Sequence, residues 1–185
     1  MFQQILHFLI ETVAAFFVYL LLARFHFQWL RVPFRNQVGE FVVVTTNWIV
    51  QPARRLIPPI AGLDLATAVA AWLLQLVALV VLGALSPRAG SGVATLALVA
   101  LIDLVRFSLY ILSFAVVVQA VLSWVNPYTP VGPVFDAVTR PFLRPVRRLV
   151  PPIANVDLSP LVLLILLQVL LIPIWYLRAM AGGSF

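Results

Sequence analysis

The chain has 185 residues, of which 63% are hydrophobic and 10% charged, against roughly 45–50% and about 25% in soluble domains, and this excludes an ordinary water-soluble fold. All twelve basic residues are arginine against six acidic ones, a net charge of +6; they stand in short segments flanking apolar runs, which points to membrane topology and anionic lipid and not to nucleic acid. With neither Lys nor Cys, lysine-dependent chemistry, disulfides, thiolate nucleophiles and cysteine-ligated metals are excluded.

The first apolar segment covers residues 5–27. Met1-Phe2-Gln3-Gln4 lacks the basic region of a cleavable signal, so this segment is expected to be a mature membrane span. His7 and His26 lie 19 residues apart on it, about 28 Å along a helix, so they cannot flank one haem. His7 with Glu11 supplies only two of about four ligands for a metal, and no cofactor or metal is expected.

Next comes a connection with two apolar patches, Phe41 to Val44 and Trp48 to Val50, which allow a shallow re-entrant hairpin, although an interfacial helix is the preferred reading here as in the second copy. Residues 65–85 carry no charge over a length that spans a bilayer. The stretch Ser86-Pro87-Arg88-Ala89-Gly90-Ser91-Gly92 breaks the chain into halves, residues 1–90 and 91–185.

The third apolar run, Val93 to Val125, reaches about 50 Å as a helix, against a hydrocarbon core of about 30 Å. Asp103 and Arg106 interrupt it, so the span is expected over 104–124, with Val93 to Ile102 tilted outward or lying in the interface. Asp103 and Arg106 form an i,i+3 pair, and Glu11 falls at the depth of Arg106 when Trp29 is set against Trp124. These charges are expected to neutralise one another near one membrane surface.

Downstream, Phe135, Val138, Phe142, Val146 and Leu149 recur at helical spacing beside Asp136, Arg140, Arg144, Arg147 and Arg148. The pattern is an amphipathic, interface-lying segment, which Pro141 and Pro145 are expected to shorten or kink. The fourth span covers 158–177.

An internal repeat organises these elements. Gln51 to Leu65 aligns without gaps on Arg144 to Leu158 at an offset of 93, with ten of fifteen pairs identical. Leu73-Leu74-Gln75 then faces Leu166-Leu167-Gln168, and Thr46 faces Thr139. Each copy holds two spans, so both enter the membrane in the same sense, as parallel repeats about an axis near the membrane normal. The expected fold is an all-α membrane protein: four transmembrane helices as two tandem parallel helix–basic loop–helix repeats with interfacial amphipathic segments.

The doubled element Pro-x-Arg-Arg-Leu-(Ile/Val)-Pro-Pro-Ile-Ala-x-x-Asp-Leu resembles the signature of the YggT family of small bacterial and plastid membrane proteins, and the likeness covers nearly the whole chain. The resemblance implies a bacterial inner-membrane, multi-pass protein. It also brings an association of plastid relatives with cytochrome b assembly, and of some bacterial relatives with genes near those for cell division. Asn126-Pro127 matches the family's Asn-Pro turn, whereas the first copy reads Asn36-Gln37.

Among the repeated residues, Asp64 and Asp157 stand immediately before uncharged spans and are expected to cap them. Arg54-Arg55 and Arg147-Arg148 precede Pro-Pro, which displays their guanidinium groups at a fixed turn. They act as topology determinants and, together with Arg144, as candidate sites for lipid phosphate or a partner's acidic group. Gln75 and Gln168 lie mid-span and are expected to bond to one another across the pseudo-twofold axis.

No nucleophile–base set, phosphate-binding glycine loop or metal cluster is present, so no enzymatic activity is expected. The reading that fits is an assembly or scaffolding factor whose partners are anionic lipids, other integral membrane proteins and a possible second copy of the chain, with no nucleic acid. A small oligomeric channel or transporter, with Gln75, Gln119 and Gln168 near its path, is the alternative. Four arginines lie between the first two spans and four between the last two, which puts both basic connections in the cytoplasm and both termini outside.

Overall fold

The computed structural model describes residues 1–34, 36–58, 63–85, 92–126, 129–150 and 157–182. They form six helices: α1 (Phe2–Trp29), α2 (Gln37–Leu56), α3 (Leu65–Leu85), α4 (Val93–Val125), α5 (Gly132–Leu149) and α6 (Ser159–Gly182). Helices α1, α3, α4 and α6 are long and apolar enough to cross a membrane. On their outer faces they expose large apolar side chains such as Phe8, Val77, Phe114, Ile165 and Ile172, a surface suited to acyl chains and untenable in water.

Helix α4 is the central post, packing against α1, α3, α5 and α6. It is one continuous helix of 33 residues, which corrects the expected outward turn of its first part. Leu96, Val99 and Ala100 are buried in a core with Leu79, flanked by Trp72, Leu76 and Ala181, so Val93 to Ile102 belongs to the bundle. The charges that looked like an interruption do not break the helix because Asp103 is bonded within the bundle, as described below. About 50 Å of helix then fits a thinner hydrocarbon layer by tilting or by projecting beyond it.

Helices α2 and α5 are single amphipathic helices, so the apolar patches of α2 lie on one helix and make no hairpin. Their buried faces follow helical spacing: Val42, Thr46 and Val50 on α2, and Val134, Val138 and Val146 with Leu143 on α5. Val42, Val134 and Val138 share a core with Phe27 and Val116, which places both helices at the same end of the bundle.

Pro141 and Pro145 do not shorten α5, and Pro52 likewise sits within α2. Each proline removes one backbone donor and frees a carbonyl one turn earlier. All three are exposed, so water or headgroups at the interface can bond those carbonyls.

Asn36 starts α2 by accepting a hydrogen bond from the Gly39 N–H at 2.8 Å, a side-chain cap for an otherwise open donor. Both amphipathic helices end where Ile57 and Val150 turn extended, the conformation favoured before Pro58 and Pro151. The Arg pairs therefore occupy last helical turns, where the helix dipole favours cations. The Ser86 to Ser91 break, Pro59, Pro127 and Pro151-Pro152 lie outside the described residues.

A Cβ on Gly39 would sit 2.6 Å from the Phe34 carbonyl oxygen, whereas one on Gly83 meets nothing within 4 Å. Gly39→Ala is expected to cost about 1–3 kcal/mol through this backbone clash, and Gly83→Ala to be neutral or stabilising by up to about 1 kcal/mol. Thermal unfolding in detergent reads both: a lowered midpoint for the first and no lowering for the second.

Candidate functional site at the basic end and in the bundle

Two Arg–Asp ion pairs tie each amphipathic helix to the span that follows it. In the first, Arg54 donates from Nε at 3.1 Å and from Nη2 at 2.6 Å to Oδ2 of Asp64. The same oxygen accepts from Thr67 Oγ1 at 2.5 Å, and Oδ1 lies 3.4 Å from the Thr67 N–H. Asp64 is thus both the cap of α3 and the anchor of the last turn of α2. In the second, Arg147 Nε donates to Asp157 Oδ2 at 2.9 Å, and Oδ1 accepts from the Ser159 N–H at 2.9 Å.

The capping partner shifts for a covalent reason. Thr67 aligns with Pro160, which has neither an N–H nor a hydroxyl, so Asp157 bonds one residue earlier. The first pair is also more enclosed: the Asp64 side chain is fully buried while that of Asp157 is 40% exposed. Burial pushes the Asp64 carboxyl upward, but the bonds from Arg54 and Thr67 outweigh it and hold it below the usual carboxylate value. At Asp157 burial again raises, and Ser159 followed by Arg147 lowers, with a net depression.

The second arginine of each pair has no ion pair or side-chain hydrogen bond among the described residues. Arg55 and Arg148 are exposed, as is Arg144; Arg140 is bonded to Asp136 one turn earlier. Above the first ion pair, Arg24 of α1 is 4% exposed and donates to Thr46 Oγ1 of α2 at 2.9 Å, while Thr46 donates to the Val42 carbonyl.

Toward the other end, Asp103 gathers three helices. Its buried Oδ2 accepts from Gln75 of α3 at 3.0 Å. Its Oδ1 accepts from Arg178 Nε of α6 at 2.7 Å and forms an ion pair with Arg106, whose Nη2 lies 3.0 Å away. The guanidinium of Arg106 lies over the rings of Phe107 and Trp175, at 5.0 Å and 4.6 Å.

The Gln75–Gln168 bond expected across the bundle is not formed, because Gln75 satisfies Asp103 and Gln168 is exposed. The physical reason is strength: a carboxylate accepts more strongly than a second amide. Nor do the three glutamines share a path. Gln119 lines a cavity of about 280 Å³ with Arg147 and Asp157, and Gln75 a separate one. His7 lies 3.9 Å from Glu11, and His26 Nδ1 lies 2.6 Å from the Leu22 carbonyl of its own helix.

Sequence reasoning treated the Arg pairs and the caps as separate features. The signal that joins them is the spacing of ten residues, Arg54 to Asp64 and Arg147 to Asp157, kept in both copies of the motif. Arg24 and Arg178 carried no local motif.

The CCB3/YggT family profile matches residues 3–85 and 98–177. An uncharacterized protein from the proC 3′ region of Vibrio alginolyticus is 33% identical over 178 residues, covering 91% of this chain and 96% of that protein. The uncharacterized protein YggT of Escherichia coli K12 is 31% identical over 166 residues, with 89% and 86% covered. An uncharacterized Pseudomonas aeruginosa protein is 31% identical over 179 residues, with 95% and 91% covered. No solved structure matches significantly.

The two ion pairs should differ in strength. Asp64→Asn leaves a buried, charge-assisted set of donors without its acceptor charge and is expected to cost about 1.5–3 kcal/mol, whereas Asp157→Asn at its exposed site costs at most about 1 kcal/mol. Because the folded-state Asp64 carboxyl lies below its ordinary value of 3.8, its contribution is present above that value and lost as pH falls through the lower folded value. Melting midpoints should therefore drop on acidification below about pH 4, and less so in Asp64→Asn; equal slopes would remove Asp64 from this role.

Proposed function

We propose that this chain, which belongs to the CCB3/YggT family, is a non-enzymatic assembly or scaffolding factor of the bacterial inner membrane, built as two tandem units. It would hold anionic lipid and the acidic groups of other integral membrane proteins on one basic face. The observation that carries this reading is the division of labour within each arginine pair. Arg54 and Arg147 are fixed on Asp64 and Asp157, and the neighbouring Arg55 and Arg148 stand exposed on the last turns of helices whose apolar faces are buried.

An ion-paired arginine is a positioning device, and the one beside it, unpaired among the described residues, is a recognition group. A planar guanidinium binds phosphate or carboxylate through two parallel bonds. Held at the interface by an amphipathic helix, it also gains from the negative surface of the cytoplasmic leaflet, by about 1 kcal/mol per basic residue. The positive-inside rule then puts α2 and α5 in the cytoplasm and both termini outside.

A small oligomeric channel is the competing reading, favoured by the buried Asp103 with its two arginines, since ionisable groups inside a membrane often mark conduction paths. Purification with native lipids and flux measurements in liposomes separate the two. Partners co-purifying without flux support scaffolding, and ion flux from the pure protein supports a channel.

Lysine substitution tests the division directly. Arg55→Lys with Arg148→Lys preserves positive charge, so membrane insertion should be unchanged while retention of anionic lipid or co-purifying partners falls severalfold. Arg54→Lys with Arg147→Lys should instead lower the melting midpoint, because lysine cannot make the Nε bonds. Wild-type retention by the first double variant would reduce these arginines to topology determinants, and a carboxy-terminal reporter active only in the cytoplasm would reverse the orientation.

A further inference from the structure

At the end of the bundle opposite the basic helices, α1, α3, α4 and α6 enclose a cavity of about 410 Å³. Its walls include Asp103, Arg106, Arg178 and Gln75, with Glu11 on α1. Both oxygens of Asp103 are engaged, one by Gln75 and the other by the two guanidinium groups. One buried carboxylate thus serves two arginines, so the guanidinium groups outnumber the buried negative charge beside them, at a cost that rises as the surroundings become less polar.

Arg106 shows where a further negative charge belongs. Its residue is 9% exposed, aromatic rings of Phe107 and Trp175 cover it, and its buried Nε–H has no partner among the described residues. Orphaned buried donors of this kind are rare in native structures and point to a missing acceptor. Glu11 lines the same cavity, yet its side chain is 68% exposed and paired with His7, so it does not fill this role.

A ligand here must bring an oxyanion to Arg106 and tolerate, or use, a carboxylate a short way off. It must also suit a site bordered by hydrocarbon. Ala14 and Ala78 line both this cavity and an apolar groove of about 390 Å³ between α1 and α3, so the oxyanion site and a groove fit for an acyl chain share a wall.

We infer that this cavity binds the headgroup of phosphatidylethanolamine from the leaflet opposite the basic helices, its phosphodiester on Arg106 and Arg178 and its ammonium toward Glu11. The lipid's two charges match the two kinds of side chain in the cavity, and its tail takes the adjoining groove. This site is separate from the basic face, and substitutions in it leave Arg55 and Arg148 unchanged.

The test uses the full chain in nanodiscs of phosphatidylethanolamine and phosphatidylglycerol, extracted into detergent, with bound lipid counted by native mass spectrometry. Gly83 lines the cavity, and a Cβ there meets nothing within 4 Å, so Gly83→Leu adds apolar volume to the site and leaves the ion-paired residues in the sequence. A second variant, Asp103→Asn with Arg106→Gln, removes the anchoring guanidinium while keeping net charge constant. Wild type should retain one phosphatidylethanolamine through delipidation, and each variant, still folded by its melting curve, should lose it at least tenfold. Equal retention by wild type and Gly83→Leu overturns the inference. So does retention of phosphatidylglycerol in place of phosphatidylethanolamine, or thermal protection by inorganic phosphate with no lipid retained.

Discussion

Asp103 is a carboxylate with no accessible side-chain surface inside a bundle of apolar helices, and it survives there only because three helices deliver donors to it. Removing a charge from water costs several kcal/mol even after relaxation. Gln75 from α3, Arg106 from α4 and Arg178 from α6 answer that cost, and their side chains reach Asp103 only in one register of the three helices. Lipid offers no hydrophobic force to select a register, because acyl chains are as apolar as the leucines they touch. The polar knot supplies it: a slip of one turn in α6, about 5.4 Å, would pull Arg178 away.

The Arg–Asp pairs act on the other end by a different logic. Their arginines are partly exposed, so each pair contributes modestly, but each closes a connection between an amphipathic helix and a span. Arg54 reaches Asp64 and Gln28 together, and Arg24 reaches across to Thr46. The first pair thus joins α2 to both α1 and α3. The second, with Pro160 in place of Thr67, is more open: Asp157 is 40% exposed where Asp64 is fully buried.

Most of the fold was legible because it rests on local pattern. Uninterrupted apolar length gave α3 and α6, and the spacing of Phe135, Val138, Phe142 and Val146 gave α5. The doubled motif gave the pairing of amphipathic helix with span. What escaped depends on partners far apart in the chain. Asp103 and Arg106 read as an interruption of α4 because Arg178, 75 residues away, supplies the second bond. Symmetry pairs Gln75 with Gln168, yet a carboxylate in reach outcompetes an equivalent amide. Pro141 and Pro145 are expected to shorten or kink the helix, yet α5 continues through both, and at their exposed positions solvent can donate to the freed carbonyls.

The exclusive use of arginine follows from the same geometry. Arg54 sets two donors on one carboxylate oxygen, which a single ammonium on a flexible stem cannot do with the same fixed orientation. Arg106 pairs with Asp103 while its guanidinium carbon lies over the rings of Phe107 and Trp175, and a delocalised cation suits both contacts at once. Arg24 spans toward Thr46 and Asn47 from different nitrogens. A guanidinium is also the more weakly hydrated cation, so it leaves water at lower cost, and it stays charged where a buried ammonium would shed its proton. In a chain whose buried cations fix helix against helix, lysine would keep the charge and lose the positions.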